Sequence, residues 1–142
     1  MRTPGSGEVT VGVGADIVCV ERIERLALQR GDRALNRLFT PGERSYCEAQ
    51  KRIYASYAAR FAAKEAVAKA LGSGFRGFSF RDVEIVSGPG GRPQVVLHNG
   101  AASAAAGRGV ARVLVSLSHD GAYAAAFAVA TGRADGLGKT CL

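Results

Sequence analysis

The sequence predicts an α+β fold, a single domain in which a mainly antiparallel β-sheet packs against a long central α-helix. Two observations carry this expectation. Residues 53–71 are Ala-rich and free of Gly and Pro, and Gly72-Ser73-Gly74 closes them with residues suited to a left-handed C-terminal turn. Around that helix, residues 9–18, 78–86, 94–97, 112–118 and 122–130 carry the apolar patterning of strands. With 142 residues, 47% of them hydrophobic, the chain fits one domain (1–142) and can bury a core.

In chain order, residues 1–8 are polar and bear Gly and Pro, and are expected to be a loose tail. Residues 9–18 place Val11, Val13, Ala15 and Ile17 on one strand face and Gly12, Gly14 and Asp16 on the other. The glycines keep bulk away from Asp16 and leave room for something to approach it. The Gly-x-Gly is no dinucleotide fingerprint: Ile17 stands where the third glycine belongs, and a carboxylate sits where the turn should be neutral. At this strand-to-helix junction Asp16 is either an N-cap or a functional group.

Residues 20–30 read as a helix with Val20, Ile23 and Ala27 inward. Arg22, Arg25 and Arg30 face outward, as a solvated face or a docking surface for an acidic partner. After a polar break at 31–36, Thr40-Pro41-Gly42-Glu43 opens another helix. Thr40 is its N-cap, Pro41 suits the first helical position, and Glu43 completes a capping box. Residues 50–52 mark a kink before the long helix. Beyond it, 78–86 and 94–97 form a hairpin through the Gly/Pro-rich turn 87–93, with a bulge or late start near Asp82. Asn99-Gly100 is a turn and 101–106 a short helix. Residues 112–118 and 122–130 are strands joined by His119-Asp120-Gly121. One face of the latter is alanine only (Ala122, Ala124, Ala126, Ala128) and calls for close packing by a helix or another subunit. Residues 131–142 are expected to fray.

Lys and Arg number 19 against 12 Asp and Glu, a net charge of +7 that attracts anions such as nucleic acid, phosphorylated cofactors or acidic proteins. The three cysteines (Cys19, Cys47, Cys141) are odd in number and widely spaced, which suits reduced thiols in a cytoplasmic protein. No apolar run approaches the roughly 20 residues needed to span a membrane.

On the long helix Phe61, Glu65 and Lys69 share one face and Arg60 and Lys64 form the adjacent row. A Glu65–Lys69 surface pair is the plain explanation of that face. The chemical alternative joins Glu65 to Asp16 and to the His119-Asp120 pair. Separate carboxylates without a Cys/His cluster suit a hard cation such as Mg²⁺, and nearby Arg60, Lys64 and Lys69 suit phosphate. Together these are parts for phosphoryl-type transfer. Ser118-His119-Asp120 is no catalytic triad, because immediate neighbours point in different directions. A non-enzymatic RNA- or anion-binding module is the alternative class. Against it, the chain carries neither an aromatic RNA-binding pattern nor a basic run.

These residues resemble the holo-(acyl-carrier-protein) synthases, the small bacterial type of 4′-phosphopantetheinyl transferase. The likeness rests on Gly12-Val13-Gly14-Ala15-Asp16-Ile17, Phe39-Thr40-Pro41-Gly42-Glu43, Arg60-Phe61-Ala62-Ala63-Lys64-Glu65-Ala66, Lys69-Ala70-Leu71-Gly72-Ser73-Gly74, Gly91-Arg92-Pro93 and Ser116-Leu117-Ser118-His119. It implies Mg²⁺-dependent transfer of phosphopantetheine from coenzyme A to a serine of an apo acyl carrier protein, for fatty acid or polyketide synthesis, releasing adenosine 3′,5′-bisphosphate. By match, Asp16 and Glu65 are the metal ligands. Arg60, Lys64, Lys69, Gly72, Ser73, Gly91, Arg92, Pro93 and His119 belong to the coenzyme A site, and Arg22 and Arg25 receive the carrier. The family also implies a homotrimer with active sites at subunit boundaries, which would account for the alanine face. Asp120 departs from the family's usual threonine and is a catalytic candidate as a third metal ligand or as the holder of a water that deprotonates the serine, or else a turn residue.

Overall fold

The structure, a computed structural model, describes residues 7–134. The expected α+β architecture is present: β1 (Glu8–Cys19), α1 (Val20–Leu38), α2 (Pro41–Glu48), α3 (Ile53–Ala70), β2 (Val83–Ser87), β3 (Pro93–Leu97), α4 (Asn99–Gly107), β4 (Arg112–Asp120) and β5 (Tyr123–Arg133). One antiparallel sheet has the strand order β1-β5-β4, and β2 and β3 form a separate hairpin.

Helix α3 lies across the three-stranded sheet, and both contribute small residues. Ala58, Ala62, Ala63 and Ala66 of the helix and Ala124, Ala126, Ala128 and Ala130 of β5 are buried. The alanine face of β5 is therefore covered by the chain's own helix and not by another subunit. The same packing explains the glycines of β1. A Cβ on Gly14 would stand 1.9 Å from the Ala66 carbonyl oxygen, and one on Gly12 would stand 2.1 Å from that of Ala70. Helix backbone therefore fills the space over Gly12 and Gly14, so these glycines serve helix packing, whereas Asp16 borders a pocket of about 370 Å³ shared with Lys69.

The opposite sheet face is apolar and open. Val13, Ile17 and Phe127 are each about two-thirds exposed (67%, 68% and 64%), and Tyr123 and Leu114 stand beside them. Register places Val13, Val129 and Leu114 in one cross-strand row on that face.

Several boundaries move. Helix α1 resumes after a kink at Gly31, whose φ is 66°, so residues 32–36 are helical and not a polar break. Glu8 is no part of a tail: it pairs in β1 opposite Arg133 and accepts both a bidentate bond from Arg112 (2.7 and 2.8 Å) and the Thr131 hydroxyl (2.6 Å). Residues 131–133 likewise extend β5. The remaining expected tails, 1–6 and 135–142, lie outside the described residues, as does Cys141. The late start of β2 is observed, with a single 3-10 turn at Phe80–Asp82 ahead of it. Asn99 and Gly100 belong to α4, and His119 and Asp120 belong to β4. Cys19 and Cys47 are free thiols. Among the described residues no helix is long and apolar enough to cross a membrane.

Candidate active site

The close β1–α3 contact brings Asp16 and Glu65 together from distant parts of the chain. Asp16 is on the helix-facing side of β1, and burial, followed by the Asp16 charge, holds the Glu65 carboxyl above its ordinary value of 4.5. Glu65 makes no hydrogen bond or ion pair among the described residues. Lys69 does not pair with it. Its ammonium instead donates to the Ala15 carbonyl at 2.9 Å and to Asp16 Oδ1 at 3.3 Å. The surface-pair explanation of this helical face is therefore replaced by a carboxylate pair with a half-exposed cation at one side. No third His, Cys, Asp or Glu joins them among the described residues. Asp120 ends β4 opposite Tyr123 on the outer sheet face, whereas His119 faces α3, so within one chain Asp120 is not a third ligand.

Gly72 and Ser73 follow Lys69 at the C-terminus of α3. Gly72 adopts a φ of 85°, which a side chain would strain, and a Cβ there would run into the Arg108 guanidinium at 2.2 Å. Ser73 keeps a hydroxyl in this turn, donating to the Gly74 carbonyl at 3.2 Å.

A second group gathers at the other half of α3. Arg60, Gly91, Pro93 and His119 line one cleft of about 590 Å³ together with Tyr46, Lys51, Arg52 and Ser56. Arg60 is only 6% exposed; its guanidinium stacks on the Tyr46 ring at 3.8 Å, and its Nε has no hydrogen-bond partner. A buried, unpartnered guanidinium nitrogen is costly alone and suits an incoming anion. Arg92 caps the turn beside this cleft but does not line it. Lys51, Arg52 and Tyr46 were not singled out from the sequence. The Lys51-Arg52 pair at the start of α3 was a legible sign of basic chemistry, and Tyr46, three residues after Glu43, shares its helix face.

Lys64 is a correction. Its ammonium is fully buried (0% exposed) and donates to Glu43 Oε1 (2.8 Å), the Phe80 carbonyl (2.9 Å) and the Val83 carbonyl (2.6 Å). An ammonium has three donors, all of them used here, so Lys64 has none left for coenzyme A.

On α1, Arg22 lies over the Phe61 ring at 5.7 Å and Arg25 pairs with Glu21 at 2.8 Å. Arg22, Arg25, Leu26, Gln29, Arg30 and Phe61 line a shallow groove of about 270 Å³ beside the carboxylate pair.

The family model of the 4′-phosphopantetheinyl transferase superfamily matches residues 12–128. A holo-[acyl-carrier-protein] synthase of Desulforudis audaxviator is 54% identical over 125 residues, covering 88% of this chain and 95% of that relative. Among solved structures, the holo-[acyl-carrier-protein] synthase of Neisseria meningitidis superposes with a TM-score of 0.79 at 36% identity, covering 86% of this chain and 98% of the other. The Helicobacter pylori synthase, solved in complex with coenzyme A, gives a TM-score of 0.74 at 31% identity over 83% of this chain and 98% of its own. The chain belongs to the 4′-phosphopantetheinyl transferase superfamily, within its holo-(acyl-carrier-protein) synthase family, and is a transferase enzyme.

Proposed function

We propose that the chain transfers 4′-phosphopantetheine from coenzyme A to a serine hydroxyl of an apo acyl carrier protein, releasing adenosine 3′,5′-bisphosphate, in a Mg²⁺-dependent reaction of the cytoplasm that activates carriers for fatty acid or polyketide synthesis. The observation that carries this reading is the meeting of Asp16 and Glu65 beside Lys69. Two carboxylates without a nitrogen or sulfur ligand suit a hard divalent cation, and such a cation offsets both the burial and the Asp16 charge that raise the Glu65 carboxyl. Asp16 and Glu65 would hold the ion; when bound, it supplies Lewis-acid polarisation of the attacked phosphorus and neutralises charge on the leaving group.

The other residues bind and orient. Lys69 and the Gly72-Ser73 turn offer a cation and a hydroxyl to the diphosphate. Arg60, Arg52 and His119, with Gly91 and Pro93 as walls and Arg92 at the rim, receive the adenosine bisphosphate end. The groove at Arg22 and Arg25 takes the acidic face of the carrier, which steers encounter and brings its serine to the carboxylate pair.

The two binding groups share no lining residue, and Arg60 and Lys69 are separated by roughly 13 Å of helix. We assign them to opposite sides of one subunit boundary in a homotrimer. The open apolar sheet face supports this assembly, because a patch of that kind on a monomer marks an interaction site. Asp120, on that outer face, reaches a site only across such a boundary.

The direct test incubates the protein with coenzyme A, Mg²⁺ and a panel of apo carriers. One phosphopantetheine mass added to a carrier serine is expected; no mass shift on any carrier would overturn the proposal. Asp16→Asn and Glu65→Gln are each expected to lower turnover about 100-fold or more, several kcal/mol of lost charge stabilisation.

A further inference from the structure

We infer that the buried Glu43–Lys64 ion pair is a positioning device for the metal-binding carboxylates: it sets the rotation of α3 about its axis and so aims Glu65 at Asp16. The inference rests on the reading of Asp16 and Glu65 as metal ligands.

The pair is completely enclosed, at 0% exposure for both side chains. Every polar atom in it is committed. Lys64 spends its three donors on Glu43 and on the carbonyls of Phe80 and Val83. Glu43 accepts the Thr40 amide on Oε1 at 2.9 Å and the Ile85 amide on Oε2 at 2.8 Å. One ammonium thus ties α3 to the N-terminus of α2 and to the start of β2.

Helix α3 is packed on most sides: Tyr57, Phe61 and Val67 are buried along with Ala62, Ala63, Ala66 and Ala70. Those contacts are apolar, and Lys64 adds to them a directional anchor whose three hydrogen bonds can be satisfied together only at one azimuth of the helix. Glu65 directly follows Lys64, so about 100° of helix separates the anchored side chain from the reacting one. Helix α2 also presents Tyr46 to Arg60, one turn earlier on the same row of α3. Two successive positions of α3 are therefore indexed by one neighbouring helix.

Stability alone does not account for the pair. Replacing a buried ion pair by apolar or neutral groups of similar volume is often neutral or stabilising, because two charges no longer have to be desolvated. A network that adds little stability but defines one orientation has its use in orientation.

The experiment compares the full-length protein with Glu43→Gln/Lys64→Met and with Lys64→Gln. The readouts are melting temperature, Mn²⁺ affinity by calorimetric titration without coenzyme A, and turnover. The double variant is expected to fold and melt within a few degrees of wild type, Lys64→Gln to melt lower because Glu43 is left buried without its partner, and both to bind Mn²⁺ at least tenfold more weakly and turn over at least tenfold more slowly. Wild-type Mn²⁺ affinity in a folded variant would overturn the proposal, as would failure of both variants to fold, which would make the pair a requirement of folding only. Glu65→Gln serves as the control. If it too keeps wild-type Mn²⁺ affinity, the metal assignment itself fails; if it loses binding while the Lys64 variants keep it, only the positioning role fails.

Discussion

Glu65 is destabilising where it stands. Burial and the Asp16 charge raise its carboxyl in the folded protein relative to the unfolded chain, so the folded state holds its proton more tightly. The stability this gives is complete below the ordinary value of 4.5 and is lost as pH rises through the higher folded value. At neutral pH and without divalent cations, Glu65→Gln should therefore melt at a higher temperature than wild type, and the difference should vanish at acid pH. Thermal melts in chelator at both pH values check this. Excess Mg²⁺ should raise the wild-type melting temperature and leave that of Glu65→Gln unchanged. At the other group, Tyr46 holds Arg60 by its ring face. Tyr46→Leu should raise the Michaelis constant for coenzyme A several-fold with turnover nearly unchanged, and Tyr46→Phe should restore it, as steady-state kinetics would measure.

The sharpest constraint on any one element is the closeness of β1 to α3. At Gly14 a methyl group would have to displace helix backbone, because the Ala66 carbonyl stands 1.9 Å from where it would sit. Overpacking that side chains can absorb costs about 1–3 kcal/mol, and backbone cannot give way as readily. Gly14→Ala should lose at least about 2 kcal/mol of unfolding free energy in urea titration and weaken activity beyond that loss, since it moves Asp16 away from Glu65. The helices themselves were largely legible. The Thr40–Glu43 capping box is formed as its spacing foretold, with the Glu43 amide donating to Thr40 Oγ1 at 3.2 Å and the Thr40 amide donating to Glu43 Oε1 at 2.9 Å. The second use of that glutamate, as the buried partner of Lys64, was not legible. A helical wheel gives a side chain's azimuth but not which neighbour lies there. The strand limits failed for a related reason. Residues 131–133 look like a polar tail on their own pattern and become strand because Glu8, Val9 and Thr10 pair with them.

The assembled molecule should be the smallest active unit. Ile17→Lys or Phe127→Glu places a charge on the open sheet face and should yield a folded monomer without transferase activity, detected by sedimentation and carrier mass shift. A complementation test is sharper. Asp16→Asn and Arg60→Gln damage opposite binding groups, so each alone should be nearly inactive. Mixing them after dissociation and reassociation should recover part of the wild-type rate, because some boundaries then pair two intact halves. No recovery would place both groups in one site of one chain.

What the sequence determined by itself was whatever rests on local periodicity and residue chemistry. That includes the Ala-rich helix and its glycine stop, the hairpins, and the presence of two carboxylates among basic residues. Only the tertiary structure decided where those side chains point. Arg60 and Lys64 lie on one helical row, yet one opens into a cleft with an unpartnered nitrogen and the other is sealed beneath α2. Val13 and Ile17 form the apolar face of β1 and stand exposed, while the alanines of β5 are in the core. The physical reason is that periodicity divides an element into faces without saying which partner covers each. Here the helix took the face of smallest side chains, because only there could two backbones come close enough to bring Asp16 to Glu65.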